Sequence, residues 1–124
     1  MRVYLTREFR KAARRFRIDD ANLMAVVADI SAGLVDAWLG SEVIKQRVAR
    51  AGAGKSGGYR VLLAFRIEHR CVFVDVFAKN EEANISEADL KDLRRAAKMV
   101  LSLDDDAIKG LLADGHWLEL ELEG

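Results

Sequence analysis

The sequence predicts an α+β domain in which a small antiparallel sheet is packed by helices. Three observations carry that expectation. Segments with apolar residues at helical spacing alternate with segments of period two, in the order β-α-α-β-β-β-α-α-β. The 124 residues, 51% hydrophobic and 32% charged, suit one domain spanning 1–124, with no repeat, no low-complexity run and no proline. The single cysteine, Cys71, excludes an internal disulfide framework and a CxxC metal cluster, so apolar burial must hold the core.

Residues 2–5 (Arg-Val-Tyr-Leu) predict a short strand. From Thr6 to Arg17, Phe9, Ala12, Ala13 and Phe16 recur at helical spacing, and Arg7, Arg10, Lys11, Arg14, Arg15 and Arg17 lie opposite them. Asp19 or Asp20 caps a second helix with the stripe Leu23, Val26, Val27, Ile30 and Leu34. Residues 42–48 alternate, with Ile44, Gln46 and Val48 on one face and Val43, Lys45 and Arg47 on the other. After the glycine-rich stretch 52–58, residues 59–68 and 71–79 read as paired strands. Ser86, with Asp89 three residues on, opens a third helix striped by Leu90, Leu93, Ala97, Val100 and Leu101. A shorter helix over 104–113 ends at Asp114-Gly115, and residues 117–122 alternate as a last strand.

Charge is unevenly placed although it cancels overall. Residues 1–70 carry 14 Lys+Arg against 7 Asp+Glu, and residues 71–124 carry 6 against 13. Within 43–70 the cations Lys45, Arg47, Arg50, Lys55, Arg60, Arg66 and Arg70 face a single acid, Glu68. Such a local field attracts polyanions; a merely solvated cationic face reads equally well from counting alone.

Strand parity sharpens this. A turn centred between His69 and Arg70 puts Val61 opposite Ala78, Leu63 opposite Val76 and Phe65 opposite Val74, so the apolar faces agree. The same register sets Arg60 against Lys79, an unfavourable like-charge pair unless an anion lies between them. Arg66 lies on that face, and so do Lys45 and Arg47 if their strand pairs in the matching parity, over a floor of Val43, Leu62, Ala64, Phe73 and Phe77; the alternative is an ordinary amphipathic sheet with long cations snorkelling at its rim.

Other motifs are set aside. Gly54-Lys55-Ser56 lacks the upstream glycine of a phosphate loop and is followed by a strand instead of a helix, so no nucleotide cofactor is expected. His69 and His116 have no nucleophile or metal partner at ligand spacing, and Cys71 reads as a buried side chain. No apolar run approaches the roughly 18 residues of a membrane span, and no signal peptide is visible, which predicts a cytoplasmic protein without a membrane role. No metal or other cofactor is expected. The acidic last strand reads either as a shield over the basic face or, the reading favoured, as a sheet edge blunted by charge.

At Lys55-Ser56-Gly57-Gly58-Tyr59-Arg60, then at Val72 to Glu81 (VFVDVFAKNE) and Ala83-Asn84-Ile85-Ser86, the chain resembles the RelE/HigB-type toxins of bacterial type II toxin–antitoxin modules. The resemblance is to a subgroup with a GKSGGYR loop-to-strand segment and an FAKNE strand end, and it runs over about residues 5–115. It implies a RelE-like toxin fold and a metal-independent mRNA endoribonuclease that typically acts on the translating ribosome and is silenced by a cognate antitoxin. Carried over by position, Arg60 binds the scissile phosphate, Lys45 and Arg47 form a basic pair on the preceding strand, and Lys79 ends the last central strand. These four are the candidate catalytic residues, with Lys45 or Lys79 as base or acid. Arg50, Lys55, Arg66 and Asn80 are candidate RNA contacts. Two departures stand out: Asn80 replaces an arginine of RelE itself, and Ile85 and Ser86 occupy the place of its functional tyrosine. The rival reading is a catalytically weak or inactive module that binds RNA or a partner through the same basic face.

Overall fold

The computed structural model of the chain describes residues 1–49, 58–79, 81 and 85–121. Strand β1 (Arg2–Thr6) leads into helices α1 (Arg7–Arg15) and α2 (Asp20–Ser31), followed by strands β2 (Ala37–Trp38), β3 (Val43–Val48), β4 (Tyr59–Arg66) and β5 (Arg70–Ala78). Helices α3 (Glu87–Ser102) and α4 (Asp105–Ala113) and strand β6 (Trp117–Leu120) follow. This is the expected α+β architecture with β2 added; two residues are too few to show a period in sequence.

The strands form one sheet in the order β2-β3-β4-β5-β1-β6. Neighbours are antiparallel except β1 and β5, where Val3 lies beside Cys71 and Leu5 beside Phe73 in parallel. The first strand is therefore interior, and the acidic β6 forms the edge beyond it, at the opposite side of the sheet from β2 and β3.

Helix starts follow their side-chain caps. Thr6 Oγ1 accepts from Phe9 N–H at 3.1 Å, Asp19 with Asn22 and Ser86 with Asp89 form reciprocal boxes, and Asp104 accepts from Ala107 N–H at 2.8 Å. Helix α1 closes with Ile18 N–H on Ala13 O and Arg17 N–H on Arg14 O, and α2 and α4 close in the same doubly bonded way. The left-handed residue of that turn is Gly33 after α2 and Gly115 after α4, but Arg17, at φ 62°, after α1. Helix α3 ends otherwise: Arg70 Nη1 donates to Val100 O at 2.8 Å and Arg66 Nη1 to Leu101 O at 3.4 Å. Two strand arginines thus cover its last carbonyls and place positive charge at the negative end of its dipole.

Helices α1 and α2 pack on one face of the sheet, where the Phe9 and Phe73 rings lie 5.2 Å apart beside Leu5, Ile44 and Leu63. Cys71 is fully buried there, and burial pushes its thiol up, which makes it an inert core residue. Helices α3 and α4 cover the other face, over Tyr4, Val72 and Trp117 at one side and, through Ala97 and Leu101 of α3, over Val43 and Ala64 at the other.

The β4–β5 pairing corrects the register expected from parity. The loop is Ile67-Glu68-His69, with Arg66 opposite Arg70, so its centre lies at Glu68 and not between His69 and Arg70. A bulge then leaves Val74 between two pairs, Leu63 with Phe73 and Leu62 with Asp75. Consequently Arg60 lies opposite Phe77, not Lys79. The bulge also switches faces: Cys71 and Phe73 point into the α1/α2 core as does Val76, whereas Val72 and Val74 pack toward α4. Phe73, Val43 and Ala64 therefore do not floor an open basic face as expected; Phe73 is in the main core, and α3 covers the other two.

Candidate nucleic-acid interface

Past the area covered by α3, two rows of side chains cross the same sheet face. Arg47, Arg60 and Phe77 form one row through β3, β4 and β5, and Lys45, Leu62 and Asp75 form the next. Lys79 follows β5 and donates its backbone N–H to Gly58 O, one step beyond Arg60. Gly58 has φ +87°, and a Cβ there would stand 3.9 Å from Lys79 Cβ, so the glycine allows the left-handed turn that brings these two segments together. Arg60 thus has Arg47 directly opposite and Lys45 and Lys79 at the diagonals, which are roughly 7–8 Å away in an antiparallel pair. The structure brings together all four candidate catalytic residues, although the like-charge pair is Arg60 with Arg47 and not Arg60 with Lys79.

The two arginines are held differently. Asp36 grips Arg47 through the backbone N–H at 2.7 Å and the guanidinium at 3.2 and 3.3 Å. Buried Gln46 in turn fixes the Asp36 segment, accepting from Asp36 N–H at 2.9 Å and donating to Leu34 O at 2.8 Å. Arg60 donates to Tyr59 O at 3.1 Å, and no carboxylate pairs with it among the described residues. Its planar fork suits a phosphate, and its position between other cations concentrates a positive field. The Tyr59 ring beside it rests 4.7 Å from Phe16, over which Arg15 lies at 4.8 Å, so the basic end of α1 adjoins the start of β4.

Arg66 is not brought to this group. It stands six positions along β4 from Arg60, about 20 Å away at strand rise, where Glu42 holds its Nε at 3.0 Å and Nη2 at 2.7 Å. Arg50, Lys55 and Asn80 lie outside the described residues, as does the Gly54-Lys55-Ser56 segment. His69 and His116 are exposed, and among the described residues no group of three or more His, Cys, Asp or Glu side chains is arranged to hold a metal.

Beside the cations, a cleft of about 510 Å³ opens between α3 and the β4–β5 pair. Leu62, Phe77, Ile85, Leu93 and Ala96 give it apolar walls, and Asp75, Glu81, Asp89 and Asp92 give it carboxylates. Asp75 stands exposed at this wall and accepts from Val76 N–H at 2.8 Å. Its carboxyl is pushed above the usual aspartate value because the cleft strips part of its hydration, with the like charge of Glu81 adding; the Val76 N–H opposes both. Asp36 and Asp75 were missed by sequence reasoning. For Asp75 a signal existed, a lone charge within the otherwise apolar Val72–Ala78, while Asp36 meets Arg47 only through the β2–β3 turn.

Among curated proteins, none matches the chain. A family model does, over residues 1–120, and its description is the RelE toxin of the RelE/RelB toxin–antitoxin system. That span takes in every element from β1 to β6, including the cationic rows and the strand that bears Asp75. With its α+β fold and this match, the chain belongs to the RelE family of toxins, whose partner is a cognate antitoxin.

Proposed function

We propose that this toxin is a metal-independent mRNA endoribonuclease that acts on the translating ribosome in the cytoplasm and belongs to the HigB-like subgroup marked by the GKSGGYR and FAKNE segments. The observation that carries this reading is the Arg60–Arg47 apposition, with Lys45 and Lys79 diagonal to it and no carboxylate paired with Arg60 among the described residues. An anion between the two arginines relieves their repulsion, and RNA supplies one at every nucleotide.

In this mechanism Arg60 braces the scissile phosphate. A ribose 2′-hydroxyl attacks that phosphorus as its proton passes to a lysine, and the 5′-oxygen leaves with a proton from the other side. The products are a 2′,3′-cyclic phosphate and a 5′-hydroxyl end. Lys45 and Lys79 flank Arg60 on opposite diagonals, which suits them to the two proton transfers. Arg50, Lys55 and Asn80 serve as RNA contacts in the same reading, while Arg66, tied to Glu42 and α3, contributes to the fold.

A second reading, binding of RNA or a partner without scission, draws on Asp36, which already occupies the Arg47 fork. Induced expression separates the two. Growth arrest that the antitoxin relieves and Arg60→Ala abolishes, with cleavage falling at least ~100-fold as expected for loss of a transition-state charge contact, supports the ribonuclease. Arg60→Ala as active as wild type sinks this site, and salt-sensitive RNA affinity without strand scission favours the binding module.

A further inference from the structure

The cleft beside the cations differs from them in every respect: it is concave, apolar-walled and acidic, and its nearest members belong to the cationic rows themselves. Phe77 is the direct partner of Arg60 and Asp75 the direct partner of Leu62, so a group bound at Arg60 has the cleft one residue away. The bulge at Val74 creates this arrangement. Without it, odd-numbered positions of β5 would share one face, and Asp75 and Phe77 would follow Cys71 and Phe73 toward the α1/α2 core.

Resting on the ribonuclease reading above, we propose that this cleft takes the base of the nucleotide whose phosphate lies on Arg60, and that Asp75 selects guanine by accepting from its N1–H and N2–H groups. Apolar walls suit the two faces of a base, and single-stranded RNA is generally read by splaying bases into such sites. Four carboxylates repel phosphate and favour a donor-rich edge. Guanine alone among the four bases sets two adjacent N–H donors on its pairing edge, matching the two oxygens of a carboxylate. Adenine and cytosine offer one amino group beside an acceptor that a carboxylate cannot satisfy. Asp75 has only the Val76 N–H as hydrogen-bond partner among the described residues, so acceptor capacity remains for a base.

The test pairs binding with cleavage, using the full chain. Titration with the 5′-monophosphates of guanosine, adenosine, cytidine and uridine reads the pocket without catalysis. The expected result is GMP bound about 10-fold or more tightly than AMP by wild type. Asp75→Asn, close to isosteric, should erase or reverse that preference, since an amide pairs better with adenine, and Arg60→Ala should weaken all four alike. The cleavage map should show guanine at one fixed position beside the cut for wild type and lose that preference for Asp75→Asn. Four equal affinities, no nucleotide binding, or an Asp75→Asn map identical to wild type overturns the pocket. If cleavage still depends on Arg60 in those cases, the ribonuclease reading stands. Guanine selectivity in binding without any cleavage does the reverse. Should Asp75→Asn leave the base profile intact and instead loosen the antitoxin complex, the cleft belongs to a basic antitoxin segment and the inference fails.

Discussion

Arginine has two uses on this sheet, and the partner decides which. Arg66 and Arg70 donate to backbone carbonyls of α3, and Arg66 is clamped by Glu42 as well, whereas Arg60 keeps its fork clear of carboxylates among the described residues. The Glu42–Arg66 pair has a pH signature. The guanidinium holds the Glu42 carboxyl below its ordinary value of 4.5. A depressed folded-state value means that the contribution is complete above pH 4.5 and fades as pH falls through the lower value. With side chains 40% and 43% exposed, solvent screens the pair and its contribution is small. Urea unfolding should therefore show Glu42→Gln slightly less stable than wild type at pH 7, with the difference gone at pH 2. A gap that persists at pH 2 would assign the effect to packing. Which arginine does what was not readable in sequence, because Glu42 and Asp36 reach their partners through turn geometry and not through strand alternation.

At the next level up, helix starts were readable and some helix and strand details were not. Asp19, Ser86 and Asp104 each act over three residues, so short-range chemistry announces them. The end of α3 is capped from β4 and β5, more than thirty residues away in chain order for Arg66, and no local pattern records that. The Val74 bulge hides for another reason: inserting one residue preserves a plausible alternation on either side of it, so a continuous register looked consistent while two residues out of step near Arg60. The two glycine-closed helices also provide an internal control for the third. Arg17 adopts the left-handed conformation that Gly33 and Gly115 adopt without strain. A side chain there costs about 1–2 kcal/mol, and glycine returns part of that through its freer unfolded chain. Arg17→Gly is expected to raise unfolding free energy by about 0.5–1 kcal/mol; unchanged or lower stability at constant denaturant slope would refute the strain argument.

For the molecule as a whole, the architecture followed from composition and period, and the segregation of charge acquired a spatial meaning. The cationic strands β3 and β4 and the acidic edge β6 lie at opposite sides of one sheet, so β6 does not shield the basic face. The parallel β1–β5 pairing was not foreseeable, since five residues show their period but not their direction or partner. Tyr4 on β1 and Trp117 on β6 share a cluster with Ile108 of α4, their rings 5.5 Å apart. A chain stopped after Ser102 would leave Tyr4 and Val72 uncovered and turn β1 into an open edge. Limited proteolysis and far-ultraviolet circular dichroism of that truncation should report loss of a protease-resistant fold; a resistant, ordered product would show that α4 and β6 are dispensable.

The interior position of β1 also orders events during synthesis. Its neighbours, Arg70–Ala78 and Trp117–Leu120, emerge long after it does, so the first strand made has nothing to pair with until most of the chain exists. Phe9, at the start of α1, likewise waits for Phe73. Contacts so distant in chain order close slowly. The sheet accordingly stays unfinished until Trp117–Leu120 has been synthesised. The cationic rows lie on that same sheet, so the surface they form is anchored to a first strand that must wait for later ones, a topological delay built into the strand order.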